Sequence, residues 1–522
     1  MTERSVVIVG AGMGGLAAAV DLAGQGVRVT VCEKATQVGG KIHQRTVDGL
    51  AIDSGPTVIT MRWVFDDLMR AAGLTLDDFV RLRPLPVIAR HFWPDKTCLD
   101  LHASVQDSID AVGRFSSAAE ARRFTAFCAE SQRLYHVLEK AYIRSERPGL
   151  RSMTQDLGTQ GLLMLGGLGP FASLWRSLGR HFTDPRLRQL FARYATYCGG
   201  SPWHAPATLM LIAYVEQRGV WTAQGGMQAL GVGIAQAAEK LGVAIRLGAG
   251  VSEILTQSGA ARGVRLQNGE EVLADAVIFN GEAAALHAGL HGQPARAAVP
   301  DKDGIYPRSL SALTFAIAGR LEGPAISFHN LFFQDNYESE FADIFDQGQL
   351  PRHPTLYLCA QDRASPGPGV TANQASSAQG APERLFCLIN APARGDGPPF
   401  TEQEILSCQT KAFALMTQAG LRLQYAPQQI QTTTPHQFEQ MFPASGGALY
   451  GMAPHGWMSS FRRPGATTPV QGLFLAGGSA HPGAGVPMAA LSGRLAAATL
   501  MAHLDSTNRS RRVVISGGMS MA

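Results

Sequence analysis

Glycines and one acid are the first residues in this chain whose types and spacing could do chemistry. Gly10-Ala11-Gly12-Met13-Gly14-Gly15 fits the pattern G-x-G-x-x-G through Gly10, Gly12 and Gly15, directly after an apolar run and at the start of a small-residue run. In such a turn the first glycine permits a sharp reversal, the second lets a pyrophosphate approach the backbone, and the third brings helix and strand together. The helix N-terminus then presents its N–H groups to the phosphates. Glu33 ends the second predicted strand, placed to accept hydrogen bonds from a ribose 2′-hydroxyl and to disfavour a 2′-phosphate, and Lys34 follows it. These residues predict a bound dinucleotide; the competing reading is a turn with a structural role only.

Two further runs, Val38-Gly39-Gly40-Lys41 and Asp53-Ser54-Gly55-Pro56-Thr57, place small residues and amides where a second phosphate or a sugar chain would run. A nicotinamide site has no need of them. Near the C-terminus, Gly472-Leu473-Phe474-Leu475 delivers the turn Ala476-Gly477-Gly478-Ser479-Ala480-His481-Pro482-Gly483-Ala484-Gly485-Val486-Pro487, and a small-residue helix follows from Met488. Backbone amides there can face an anion or an electron-rich ring.

The first fingerprint with its Gly-Gly-basic turn resembles the FAD-binding start of the amine-oxidase and phytoene-desaturase superfamily. The basic residue there is usually Arg; Lys41 keeps the charge and loses the bidentate fork. The run from His481 to Pro487 is similar to the C-terminal flavin signature of carotenoid desaturases. Gly219-Val220-Trp221 with Gly225-Gly226-Met227 is similar to the segment before that family's central FAD-domain helix. Within the family, residues 55–65 resemble the hydroxyneurosporene (methoxyneurosporene) dehydrogenases, the 1-hydroxycarotenoid 3,4-desaturases of purple photosynthetic bacteria; phytoene desaturases share Gly-Pro-Thr and differ around Met61 to Trp63. The resemblance spans essentially residues 1–505, clear in the FAD segments and only general over 290–440.

What the resemblance implies is an FAD-dependent oxidoreductase of carotenoid biosynthesis, acting on CH–CH groups to introduce C=C bonds into an acyclic C40 carotenoid. It implies FAD contacts at Gly10, Gly12, Gly14, Gly15, Glu33, Lys34, Gly39, Gly40, Lys41, Gly55, Pro56, Thr57, Gly226 and Met227. It adds Val251 beside the adenine, and Gly477, Gly478, Pro482, Gly485, Val486, Pro487 and Met488 around the flavin. The alternatives are a phytoene desaturase, another flavin oxidase such as an amine or protoporphyrinogen oxidase, and a flavin-free escort-type protein that binds prenyl lipids.

Making C=C from CH–CH removes a hydride equivalent and a proton, and side chains cannot accept the hydride, so flavin N5 is the expected acceptor. A cation delocalised along a polyene lowers the need for a strong base, so neither a triad nor a metal site is expected. Glu216, Tyr194 and His481 are the weak candidates for proton transfer. Their ordinary roles would be a surface acid, a packed ring and a histidine that fixes backbone in a proline-flanked turn. Asp53 reads as a turn or ribityl-side contact. Trp63, Phe65, Trp175, Trp203 and Trp221 are candidates for a polyene tunnel, their default being core packing.

These groups must be positioned by a chain of 522 residues, long enough for two subdomains that share a cleft. The expected fold is α/β: a discontinuous Rossmann-type FAD-binding domain from 1–84, 205–289 and 440–505, and a mixed α+β substrate and membrane-contact domain from 85–204 and 290–439. Residues 85–205 read as largely helical, with helices over 118–138 and 184–197, and 290–440 as an irregular block with a mobile loop at 365–382. A polar tail is expected over 506–522. The net charge of +4, spread as scattered Arg, argues against nucleic acid, and seven cysteines without a C-x-x-C pair argue for reduced thiols and against a metal. No secretory signal opens the chain, and the longest apolar stretch, 161–175, falls short of the roughly 20 residues that span a bilayer. Flanked by Arg151, Arg176 and Arg180, that stretch suits peripheral contact with the cytoplasmic face of a membrane, where the substrate dissolves. Oxygen or a membrane quinone is the expected electron acceptor.

Overall fold

A computed structural model describes residues 4–146, 172–299, 307–363, 381–456 and 458–516. The β-branched run at the N-terminus forms β1 (Ser5–Val9), buried along nearly its whole length, as a strand covered on both faces must be. The glycine turn leads into α1 (Met13–Gly24), whose alanines let it lie close to the sheet, and β2 (Arg28–Cys32) returns parallel to β1. The full sheet is five parallel strands in the order Leu473–Leu475, Ala276–Phe279, β1, β2, Ala244–Arg246. Segments from both ends and the middle of the chain thus share one sheet. A three-stranded antiparallel sheet, Val251–Gln257, Ala260–Leu266 and Glu271–Leu273, lies beside it.

A larger, eight-stranded sheet corrects the reading of 290–440 as irregular. The long strand Ser311–Glu322 pairs antiparallel with Glu383–Ala391, and the sheet continues through Leu356–Ala360 and His329–Phe332 to Val87–Phe92 and Cys98–His102. Residues 87–102 are therefore strands inside a region expected to be helical. Ala118–Leu138 is a helix capped by Ser117, while the helix expected over 184–197 is Pro185–Ala192 followed by a 3₁₀ turn, Arg193–Cys198. The last helix, Val486–Ser516, runs past the expected start of the polar tail, since nothing between 502 and 516 is Gly or Pro. All seven cysteines are free thiols. The loop expected over 365–382 lies outside the described residues except its last two positions, and the stretch 161–175 does so up to residue 171.

Candidate functional site

The glycine turns from the two ends of the chain meet at the C-terminal edge of the parallel sheet. Gly10 has φ +98°, and its N–H donates to the Cys32 carbonyl at 2.8 Å. A Cβ on Gly15 would stand 2.1 Å from the Gly10 carbonyl oxygen, and one on Gly14 would stand 2.8 Å from the Gly477 nitrogen. Asn280, just past the strand Ala276–Phe279, sits at the junction: its Nδ2 donates to the Gly10 carbonyl at 3.0 Å, and its Oδ1 would be 2.7 Å from a Cβ on Gly477. The Gly39–Gly40 turn lies against the same place, with the Gly39 N–H on the Ala11 carbonyl at 2.9 Å and room for only hydrogen between Gly40 and Gly12.

Around this junction the polar side chains are tied down. Glu33 is buried at the end of β2, where its carboxylate accepts from the Ala11 N–H at 2.7 Å and the Ala35 N–H at 2.8 Å. Lys34 donates to the Met441 carbonyl at 2.6 Å, and Lys41 to Glu282 at 2.6 Å and the Leu449 carbonyl at 2.9 Å. Asp53 caps the helix Met227–Lys240, accepting from the Met227 N–H at 2.6 Å, and Gly226 leaves the space that carboxylate fills. Gly55 crosses the Lys41 carbonyl so closely that a Cβ would stand 2.0 Å from its oxygen. Val251 is buried at the start of its strand, two residues after Ala249, whose N–H donates to the Glu33 carbonyl at 2.8 Å.

Two helix N-termini in this region differ in one respect. Asp53 occupies that of Met227–Lys240, whereas α1 begins at Gly12 with no side-chain cap and no acid in its first turn. Helix starts leave backbone N–H groups in want of an acceptor, so α1 fits a pyrophosphate and the other helix does not need one. Gly478 carries a second sign of fit. Its backbone is ordinary, and a Cβ there would meet nothing nearer than Ala484 at 3.7 Å, an ordinary contact, so neither conformation nor crowding within the protein requires glycine at this place.

Beside this turn a cavity of about 760 Å³ opens. Gly55, Pro56 and Thr57 and the run Pro482 to Met488 line it on the side of the glycine turns. Apolar residues from well-separated parts of the chain, among them Leu138, Leu209, Leu211, Ile212, Leu331 and Phe386, form most of the rest. None of Trp63, Phe65, Trp175, Trp203 and Trp221 lines it. Phe65 is core, Trp175 and Trp203 stack on each other at 4.7 Å, and Trp63 and Trp221 border a separate cavity of about 250 Å³. Large rings are spent on packing between elements, and the cavity takes its aromatics from residues such as Tyr197, Tyr357 and Tyr450.

Glu216 is no surface acid: it is 2% exposed and lines the cavity, held by the hydroxyls of Tyr194 and Tyr197 and by Arg193. Burial pushes the Tyr194 and Tyr197 phenols well up, so both remain protonated donors. His481 is buried below the turn with its Nε2 on the Tyr142 carbonyl at 2.9 Å, and burial pushes its pKa down to about 4. Arg463 was not visible in the sequence as part of this site. Its guanidinium donates to the carbonyls of Gly478, Tyr450 and Met452 at 2.6 to 3.2 Å, and so holds the C-terminal turn in shape. Asn280 was missed as well; its one local sign is its place directly after the strand Ala276–Phe279, and Arg463, after the short helix Ser459–Arg462, has none.

Similarity to known proteins agrees with this geometry. The flavin-containing amine oxidoreductase family matches residues 13–501. A hydroxyneurosporene desaturase from Rubrivivax gelatinosus is 55% identical over 100% of this chain and 97% of its own, and one from Cereibacter sphaeroides is 44% identical over 97% and 99%. In three dimensions an oxidoreductase from Methanosarcina mazei has the same fold, with a TM-score of 0.58 at 16% identity over 94% of this chain and 99% of its own. Glycine turns from both termini that converge beside an uncapped helix start, in a chain matched along almost its whole length, make this FAD-dependent oxidoreductase a member of the flavin-containing amine oxidoreductase family.

Proposed function

We propose that the protein is a carotenoid desaturase that forms the 3,4 double bond of an acyclic 1-hydroxy- or 1-methoxycarotenoid. The observation that carries the reading is a mostly apolar cavity lined on one side by the run Pro482 to Met488, in a chain 55% identical over its full length to a hydroxyneurosporene desaturase. We assign the pyrophosphate to the start of α1, a ribose to Glu33, the adenine side to Val251 and the ring to Gly477–Met488, with Gly55, Pro56 and Thr57 opposite. Lys34, Lys41, Gly226 and Met227 remain proposed contacts, through atoms other than those already engaged. Bound FAD supplies a two-electron acceptor. The chain's share is to lay the substrate's terminal carbons along this wall, keep water out with apolar side chains and hold the turn rigid through Arg463 and His481.

Turnover also needs an electron acceptor, for which we propose oxygen or a membrane quinone; oxygen uptake with and without added quinone separates them. We further propose peripheral attachment to a membrane, since among the described residues no helix is long and apolar enough to cross one and the substrate dissolves in lipid. The substrate reading is tested by anaerobic mixing of the FAD-loaded protein with 1-hydroxyneurosporene, neurosporene and phytoene. Bleaching of the flavin absorbance by the first is the expected result; bleaching by phytoene alone would replace this reading with that of a phytoene desaturase.

A further inference from the structure

The cavity wall is mostly apolar, and charge lies on it at two places: Arg463, whose guanidinium is spent on backbone carbonyls, and a cluster around Glu216. Arg193, Tyr197 and Glu216 line the cavity together, with Tyr194 behind them. Tyr194 donates to Glu216 Oε2 at 2.7 Å and Tyr197 to Oε1; Arg193 donates from Nη1 to the Tyr197 hydroxyl at 3.0 Å and from Nη2 to Glu216 Oε1 at 3.5 Å. Arg193 is 6% exposed; its Nε has neither a partner nor accessible surface, so the donors a ligand can meet are those of Nη1 and Nη2. A guanidinium offers five N–H donors, and each carboxylate oxygen has room for more than one bond. The cluster therefore has donor and acceptor capacity to spare, at the wall of a cavity that is mostly apolar.

Burying an ion pair is costly and is no aid to a pure hydrocarbon ligand. A second polar patch on the wall, Thr355 and Asn390, is neutral and already turned onto Glu340, which accepts from both at 2.6 and 2.8 Å. An alcohol is different from a hydrocarbon in that it accepts and donates at one atom. We propose that Arg193, Tyr197 and Glu216 form the specificity site for a hydroxyl at the end of the polyene. The hydroxyl oxygen accepts from Arg193, and its proton is donated to Glu216 Oε2, which carries only the Tyr194 bond. The inference rests on the desaturase reading above and deepens it: the preferred ligand is an alcohol-ended isoprenoid chain, and the deoxygenated chain leaves the spare donors facing carbon.

The test uses the full-length FAD-loaded protein, bleached anaerobically by a 1-hydroxy acyclic carotenoid and by the same chain without its hydroxyl. The wild type is expected to prefer the alcohol by on the order of tenfold or more, the scale of one hydrogen bond to a charged group. Tyr197→Phe removes one oxygen and no charge, and Glu216→Gln keeps the shape. Both are expected to bring the preference close to unity by raising the half-saturating concentration of the alcohol alone, with the flavin spectrum unaltered. Equal bleaching by both carotenoids in the wild type, or an undiminished preference in both variants, would overturn the inference and leave the desaturase reading standing. Loss of the preference in Asn390→Leu with Tyr197→Phe unaffected would move the site to the other patch and also overturn it. Bleaching by neither carotenoid would sink the desaturase reading itself.

Discussion

His481 shows how a residue in a conspicuous motif can serve position rather than chemistry. Its Nε2 binds the Tyr142 carbonyl, its own N–H donates to the Pro464 carbonyl at 2.8 Å, and the ring is 3% exposed. Burial is the main reason its pKa falls from 6.5 to about 4. The unfolded chain therefore takes up this proton first, and the residue's contribution is full above pH 6.5 and lost as the pH falls toward 4. Since one unit corresponds to 1.36 kcal/mol, the loss over that window is about 3 kcal/mol. His329, down to about 3, acts in the same direction; Glu340, raised by burial to about 7, acts oppositely and removes stability as the pH rises from 4.5 to 7. Comparing His481→Gln with the wild type isolates the single group: between pH 7 and 4.5 the melting temperature of the variant is expected to fall less steeply. Parallel slopes would mean that the ring is not buried neutral.

At the scale of elements, what was legible in the sequence is what is local. The turn from Gly10 to Gly15, α1 and β2 lie within one short stretch, so their spacing records the whole unit, and the C-terminal turn from Gly477 to Pro487 is equally self-contained. The eight-stranded sheet was not legible. Ser311–Glu322 is buried on both faces for its first nine residues, so it has no two-residue alternation, and its partner Glu383–Ala391 comes from far along the chain. The junction of Asn280, Gly14 and Gly477 escaped for the same reason, and the burial of Glu216, whose ordinary role was expected to be a surface acid, was not legible because one helical turn does not reveal what covers it. Helix-to-helix contact gives a prediction here. Where the C-terminal helix crosses α1, a Cβ on Gly493 would stand 2.0 Å from the Gly14 carbonyl oxygen. Gly493→Ala must push the two helices apart, at about 1–3 kcal/mol, the range for overpacking. The expected result is a lower denaturation midpoint and flavin lost on gel filtration, because the displaced α1 carries the glycine turn; full flavin retention would show that the crossing can relax without moving the turn.

The whole molecule has to solve a problem of delivery. The proposed C40 polyene does not dissolve in water, and the cavity proposed to receive it is lined mostly by apolar side chains. Among the described residues no helix is long and apolar enough to cross a bilayer. The attachment proposed above is lateral, through apolar residues pressed into the headgroup layer and cations beside them. Arg176 and Arg180 are exposed on the helix Leu174–His181, directly after the apolar stretch 161–171, which lies outside the described residues. Each cation near an anionic surface adds about 1 kcal/mol, and the attraction fades with salt. Replacing Leu162, Leu163 and Leu165 together by Asp removes apolar area and adds negative charge at one place. With anionic liposomes the wild type is expected to float and the triple variant to stay in the aqueous layer, while bleaching by detergent-dispersed substrate is the same for both. If the variant floats as well as the wild type, this stretch is not the contact. If it stays down but also fails with dispersed substrate, the substitutions have damaged the cavity rather than the docking surface.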